Sequence, residues 1–134
     1  MSSATPVAPE GIVSVASPYS VAETLQRLTD AIQAKGLTLF ARVDHSDEAA
    51  KVGLQMQPAH VLIFGAPKGG TPLMVAAPLL ALELPLKALV WQDADGQVWV
   101  SYTDPAYLAN RYGVPAALAP NIAGITPLIQ GALA

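Results

Sequence analysis

The stretch HVLIFGAPKGGTPLMVAAPLLALELPLK, residues 60–87, decides the fold. Its apolar opening predicts a buried strand, GAPKGGT predicts a turn, and the apolar residues that follow predict a short helix before the next strand. Thr71 followed by Pro72 is typical of a helix start, because the missing proline N–H costs nothing in a first turn. Pro78 is expected to kink or end this helix. The pattern leaves open whether residues 73–84 form one kinked helix or two short ones.

Upstream of this stretch, the pattern predicts a strand over residues 11–17, a helix, and a half-buried strand over residues 37–43. Ser20 and Glu23 have the spacing of a capping box, in which each side chain bonds the other residue's backbone N–H. Ser46 is expected to cap a second, short helix. A β-α-β unit followed by a short helix therefore precedes the decisive stretch.

Downstream, residues 86–93 and 97–103 predict a β-hairpin. If Asp95-Gly96 form a two-residue loop, one face of the hairpin pairs Trp91 with Val100 and Leu89 with Tyr102, and this apolar face should meet the core. Trp99 then lies on the other face and needs cover from a helix, a ligand or a second subunit.

The chain ends in two further helical segments. Asp104-Pro105 predicts a helix start and Gly113 its end. Residues 116–134 form an apolar tail without charge, which predicts one or two broken helices packed on the body.

Composition predicts one compact domain over residues 11–134, preceded by a flexible lead-in over residues 1–10. Of the 134 residues, 52% are hydrophobic and 13% are charged, which argues against disorder. The net charge of −3 comes without a basic run, so we expect no nucleic-acid partner. No signal peptide and no membrane segment are indicated, and cysteine is absent, so we expect a cytoplasmic protein.

Four phrases, in this order, resemble the family known as domain of unknown function 302: VDHSDEAAKVGLQM, HVLIFGAPKGGTPLM, LPLKALVWQD and VWVSYTDPAYLANRYG. The resemblance covers residues 11–115. It implies a TBP-like α+β fold, in which helices pack mainly on one face of a curved antiparallel sheet, in the order β-α-β-(α)-β-α-β-β-α. It also implies a homodimer and supplies no reaction. The family pattern has Asn at the position of Ala66 and often His at that of Tyr112, so a role held by either side chain does not carry over.

GAPKGGT is the first candidate site. Lys68, the amides of Gly69 and Gly70, and Thr71 could bind a phosphate or carboxylate at a helix N-terminus. The order differs from a Walker A loop, where the lysine follows the glycines. The structural alternative is a strand-to-helix turn in which the glycines supply positive φ angles.

Three further sets of residues are weaker candidates for a functional site. His45 could act as an acid/base group, or make only local hydrogen bonds at a strand end. Glu83 and Lys87 could form a general acid with a neighbouring cation, or an ordinary ion pair. Asp104 and Arg111 could bind an anionic or aromatic ligand, or serve as a helix cap and a surface cation. With no cysteine and two dispersed histidines, we expect no metal site and no cofactor.

Three functions remain open on these residues. The first is a homodimeric binding or accessory domain for a small ligand that is partly apolar or anionic. The second is an enzyme that uses His45 or Glu83 as acid/base with Lys68 and the glycine amides as an anion site. The third is a structural dimerisation domain whose apolar tail and hairpin face form the interface. Of these three functions, the candidate residues favour a non-enzymatic one over an enzyme.

Overall fold

The computed structural model of the protein describes residues 7–134, so most of the predicted lead-in lies outside the described residues. Five strands form one antiparallel sheet in the order β1-β5-β4-β3-β2. The strands are β1 Ile12–Ser17, β2 Thr38–Asp44, β3 Ala59–Gly65, β4 Leu86–Gln92 and β5 Val98–Thr103. The helices are α1 Val21–Ala34, α2 His45–Lys51, α3 Pro67–Ala76, α4 Pro105–Tyr112, α5 Pro120–Ala123 and α6 Ile125–Leu133, with a 3₁₀ turn at Pro78–Leu82. The predicted α+β class and antiparallel sheet are confirmed.

Helix α1 begins at the predicted cap. Ser20 Oγ accepts a hydrogen bond of 3.1 Å from the backbone N–H of Glu23. The Glu23 carboxylate does not complete the capping box, because it accepts a bond of 3.1 Å from Arg27 Nε one turn further along. The inward face of α1 buries Leu25, Leu28 and Ile32 against the sheet.

Helix α2 is capped by Asp44 rather than by Ser46, which corrects the prediction. Asp44 Oδ1 accepts hydrogen bonds from the backbone N–H of Asp47 at 2.9 Å and from Ser46 Oγ at 2.6 Å. The carboxylate ends β2 and reaches back over the first turn of the helix, so Ser46 becomes a donor to the cap.

The predicted turn GAPKGGT is largely helical, which corrects the predicted start at Thr71-Pro72. Helix α3 begins at Pro67, which also fits a first helical position. Neither Gly69 nor Gly70 has a positive φ, so the expected conformational reason for these glycines is wrong. Helix α3 ends at Ala76 and the 3₁₀ turn follows, so residues 73–84 contain two short elements.

The hairpin between β4 and β5 has a three-residue loop, so the predicted two-residue loop is wrong. The backbone N–H of Asp93 donates to Gln97 O at 2.9 Å, and that of Gly96 donates to Asp93 O at 3.1 Å. Gly96 has φ +87°, a left-handed conformation that glycine adopts without steric cost.

The extra loop residue changes which side chains of β4 share a face with those of β5. Trp91 pairs with Trp99, and Leu89 pairs with Ser101. The side chains of Trp91 and Leu89 therefore lie on the opposite face of the sheet from Val100 and Tyr102, which are buried in the core. The predicted core face was therefore right for β5 and wrong for β4.

Two hydrophobic clusters form the interior. The larger cluster lies between the sheet and helices α1 and α6, and includes Phe64. The smaller cluster joins α3, the 3₁₀ turn, α4 and α5 through Leu73, Leu80, Leu108 and Ile122. The apolar tail supplies residues to both clusters, as its composition predicted.

The second face of the sheet carries apolar side chains that belong to neither cluster: Val61, Ile63, Leu89, Trp91 and Trp99. The rings of Trp91 and Trp99 stack with centroids 6.4 Å apart. Trp99 is only 3% exposed, and its Nε1 donates to Asp93 Oδ2 at 2.9 Å. Cover for Trp99 therefore comes from within the chain, in part from Trp91.

Candidate functional site

A cavity of about 590 Å³ lies where the two clusters meet. Its walls come from the end of β3, the start of β4, helix α3 and the tail helices. Among the side chains that line it are Phe64, Met74, Leu84, Leu86, Ile122, Ile125 and Leu128. A mostly apolar cavity of this size is within the range of small-molecule sites in proteins, which is roughly 300–1,000 Å³.

The glycines of α3 are explained by close approach of neighbouring groups. A Cβ atom on Gly69 would lie 3.4 Å from Asn121 O, and Asn121 Nδ2 donates to Gly69 O at 3.1 Å. A Cβ atom on Gly70 would lie 3.5 Å from Leu84 Cδ1 and 3.8 Å from Met74 Cε. The first glycine lets α3 approach α5, and the second leaves space beside two side chains of the cavity wall.

Polar groups are few in the cavity lining. Of the described residues that form it, Lys35 alone has an ionisable side chain, and Thr71 and Asn121 supply a hydroxyl and an amide. Lys35 is exposed at the end of α1, where its backbone N–H donates to Ala31 O at 3.1 Å. The cavity therefore has an apolar interior and one cation at its edge.

Three of the predicted site residues, Gly69, Gly70 and Thr71, line this cavity. Lys68 lies on the exposed side of the same helix and is not part of the lining. Asp104 caps α4 by accepting a bond of 3.0 Å from the backbone N–H of Ala106, as the structural alternative predicted.

His45 lies at the opposite end of the sheet from α3. Strand β2 pairs Thr38 with Gly65 at one end and Asp44 with His60 at the other. The six steps from Thr38 to Asp44, at about 3.3 Å for each residue, separate these ends by about 20 Å. His45 and Lys68 therefore do not converge, and the composite acid/base site that uses His45 does not form.

The second imidazole, His60, has its Nδ1 atom 3.7 Å from Asp44 Oδ2. The pKa of the Asp44 carboxyl lies below its usual value, chiefly because Ser46 Oγ donates to it and then because the Asp47 amide does. Within residues 7–134, no three histidine or acidic side chains are grouped so that they could hold a metal ion.

Glu83 and Lys87 do not form the predicted ion pair. The Glu83 carboxylate accepts a bond of 2.6 Å from the Tyr112 hydroxyl, and Lys87 Nζ donates to the backbone carbonyls of Glu83 and Pro85. The bond to Glu83 raises the pKa of the Tyr112 phenol, and desolvation adds to this effect. Glu83 and Lys87 border a separate pocket of about 20 Å³, which has room for about one water molecule.

Arg111 lies beside Tyr107 and Tyr112 at the end of α4. Its guanidinium lies 5.5 Å from the centre of the Tyr112 ring. A hydrogen bond with Tyr107 is the main cause that raises the pKa of Arg111. Arg111, Tyr107 and Tyr112 do not line the cavity, so this arrangement lies outside it.

Comparison with known proteins then gives the family. The family described as "Domain of unknown function DUF302" matches residues 13–131. The chain belongs to the DUF302 family. A solved structure, of an uncharacterized conserved DUF302 protein from Bacillus stearothermophilus, superposes with a TM-score of 0.77 over 93% of this chain and 97% of that chain. At 20% sequence identity, this likeness establishes the shared fold.

Other relatives of this DUF302 chain have a different name. "Fluoride-specific ion channel FluC 1" from Brucella suis biovar 1 (strain 1330) is 42% identical over 104 residues, which are 78% of this chain and 41% of that protein. "Fluoride-specific ion channel FluC 2" from Brucella melitensis biotype 1 is 42% identical over the same length, and the match covers 38% of it. The chain thus spans about two fifths of these relatives. In the part of the DUF302 chain that the structure describes, no helix has the length and apolarity to cross a membrane.

Sequence reasoning missed most of the cavity wall. Lys35 and Phe40 come from the connection between α1 and β2 and from β2 itself, Asn121 comes from the distant tail, and none of them was predicted as a site residue. The tail that forms one wall was predicted to pack on the body as broken helices, but none of its residues was predicted to line a site. The sequence offered one signal for this wall, which was the position of Lys35 as a lone cation between the apolar face of α1 and Gly36.

Proposed function

We propose that this DUF302 domain binds a small, largely apolar molecule in the cavity between its two clusters. The observation that carries the proposal is the cavity itself, which has about 590 Å³ of space within a mostly apolar lining. Moving apolar ligand surface from water into such a site is favourable by roughly 25 cal/mol per Å². The distant positions of His45 and Lys68 favour binding rather than acid/base catalysis.

A filling substitution tests the site without loss of the fold. Gly70→Leu places a side chain beside Leu84 and Met74, two residues of the wall. Gly131→Leu is the matched control, because an added Cβ at this exposed position of α6 meets no atom within 4 Å. Both changes remove a helical glycine, so we expect neither to lower stability, with a gain of about 0.5–1 kcal/mol where packing permits.

The measurement is the thermal shift with a panel of naphthalene and short-chain aliphatic compounds, followed by calorimetry. For compounds of about 14 non-hydrogen atoms we expect dissociation constants between about 1 μM and 1 mM. The parent and Gly131→Leu should give the same shifts, and Gly70→Leu should give smaller ones, because its side chain takes part of the space in the cavity. Absence of any shift across the panel, or equal shifts in all three proteins, contradicts the proposal.

A second part of the proposal is an accessory role, which the relatives named as fluoride-specific ion channels support. A segment similar to this domain makes up about two fifths of those proteins. Fluoride itself fits the cavity poorly, because an anion in an apolar site loses its hydration without compensation. We therefore propose that the domain contributes ligand binding to such proteins. Sodium fluoride, compared with sodium chloride at equal concentration, serves as a panel member expected to give no specific shift.

We also propose that two copies of the chain associate through the second face of the sheet. Val61, Ile63 and Leu89 lie there beside the tryptophan pair, and a contiguous apolar surface is typical of homodimer contacts. The alternative interface, the apolar tail, is less suitable because α6 buries Ile125, Leu128, Ile129, Ala132 and Leu133 within its own chain.

A further inference from the structure

We propose that the ligand of the cavity is an amphiphilic monoanion, with its apolar body in the cavity and its anionic head beside Lys35. The inference rests on the proposed function and adds the charge and orientation of the ligand. The residues that carry it are those of the described lining, where Lys35 supplies the one ionisable side chain and no carboxylate is present. An anion therefore meets an opposite charge there, and a cation meets a like charge.

Lys35 is available for such a contact. The ion pairs among residues 7–134 join Arg27 to Glu23, Lys51 to Asp47 and Glu48, and His60 to Asp44. None of these involves Lys35, which is an exposed residue of the cavity lining. A flexible lysine stem can lie along apolar surface while its ammonium group stays in water.

The position of Lys35 determines how the ligand is oriented. An anionic head at the edge of the cavity keeps most of its hydration, so it avoids the cost of burying a charge. The apolar body meets the side chains deeper in the cavity, among them Phe64, Leu86 and Ile125. A ligand with charge at one end and an apolar remainder fits this arrangement better than one that is charged throughout.

The expected size of the preference is small, because an exposed ion pair is screened by water and salt. Compared with a neutral ligand of the same shape, the anion should bind about two- to five-fold more tightly at low ionic strength. The preference should shrink towards unity as sodium chloride is raised to about 1 M, where the screening length is about 3 Å.

Three probes of one shape and different charge provide the test: 1-naphthylacetate, 2-(1-naphthyl)ethanol and 2-(1-naphthyl)ethylamine. Calorimetry on the whole chain at neutral pH should rank their affinities as acid, then alcohol, then amine. Lys35→Met should reduce the difference between acid and alcohol to within error, and Lys35→Glu should reverse the ranking of acid and amine. Lys51→Met, which removes the same charge at the other end of the sheet, should keep the parent ranking.

The outcomes separate this inference from the proposed function. If the alcohol binds while the acid is no tighter, or if the acid keeps its advantage in Lys35→Met, the monoanion inference is overturned and the apolar site stands. If none of the three probes binds, the proposed function fails, and the inference fails with it. If all three lose affinity equally in Lys35→Met, the lysine acts on the shape of the site, which also overturns the inference.

Discussion

Gly69 and Gly70 show how a single missing side chain sets the geometry of the site. Both residues are helical, so they contribute the space left by a missing side chain and not an unusual backbone conformation. Gly69 brings α3 close to Asn121, and Gly70 keeps room next to Leu84 and Met74. A glycine-rich segment after a strand suggests a phosphate-binding turn, but the same residues serve here to pack one helix on another and to border an apolar cavity.

Asp44 gives a prediction at the same scale, from the pKa of its carboxyl. Because the folded-state pKa is lowered, the ionised carboxylate stabilises the fold above the unfolded-state value of about 3.8, and this stabilisation is lost as pH falls through the lowered folded-state pKa. We expect Asp44→Ala to have a lower melting temperature than the parent at pH 7. The gap should narrow below about pH 4.

Thermal melts of both proteins between pH 3 and pH 7 measure that gap. Asp44→Asn is the informative companion, since an amide oxygen can still cap α2 but carries no charge. Its melting temperature should lie between the other two at pH 7. A gap between parent and Asp44→Ala that stays constant from pH 7 to pH 3 would contradict the assigned origin of the lowered pKa.

Among the elements, the sequence pattern predicted the structure of α1 more completely than that of the β4–β5 hairpin. Helix α1 was predicted with its cap, because Ser20 and Glu23 interact over three residues and the apolar face repeats locally. The hairpin was predicted in place but in the wrong register. Its loop closes through Asp93 and Gln97, and one added residue exchanges the two faces of β4. Alternation alone cannot choose between faces that are both apolar.

Helix α6 carries the next prediction. Ile129 is fully buried in the larger cluster, against the inward face of α1. Ile129→Ala removes its packing and leaves a cavity, so we expect a loss of about 2–5 kcal/mol in the free energy of unfolding. Urea denaturation followed by circular dichroism measures the loss.

The neighbouring Gln130 provides the control for that measurement. Its side chain is exposed on the same helix, so Gln130→Ala should change the unfolding free energy by less than about 0.5 kcal/mol. Equal, small effects of the two substitutions would mean that α6 contributes to the surface and not to the core.

At the scale of the whole molecule, the cavity exists because two clusters share a boundary. Phe64, Ile125 and Leu128 belong to the larger cluster, and Ile122 and Leu84 to the smaller one, yet all five line the same space. The contact between Gly69 and Asn121 spans 52 residues of sequence. Local patterns predicted most of the strands and helices, but a space bounded by such distant contacts has no local signature. The resemblance to DUF302 gave the architecture in advance and could not give the cavity.

The second face of the sheet leads to a prediction about association. Leu89 is a half-buried residue of the central strand β4 on that face. If the face joins two copies of the chain, Leu89→Lys should convert a dimer to a monomer while the circular dichroism spectrum stays the same. Analytical ultracentrifugation between 1 and 100 μM provides the measurement.

Val75→Lys is the control for this test, since Val75 is 77% exposed on α3. It introduces the same charge away from the sheet and should leave the dimer intact. A parent chain that sediments as a monomer throughout this range contradicts the association, as does a dimer that survives Leu89→Lys.

The two tryptophans of the chain, Trp91 and Trp99, stand together on that second face, and the cavity lining contains neither. Their ultraviolet emission is therefore a built-in optical probe of one side of the molecule. Ligand entering the cavity should leave the emission maximum unchanged, while separation of two copies at the sheet should shift it towards the red. A titration with an aliphatic ligand, which has no ultraviolet emission of its own, can thus distinguish the two events without any label.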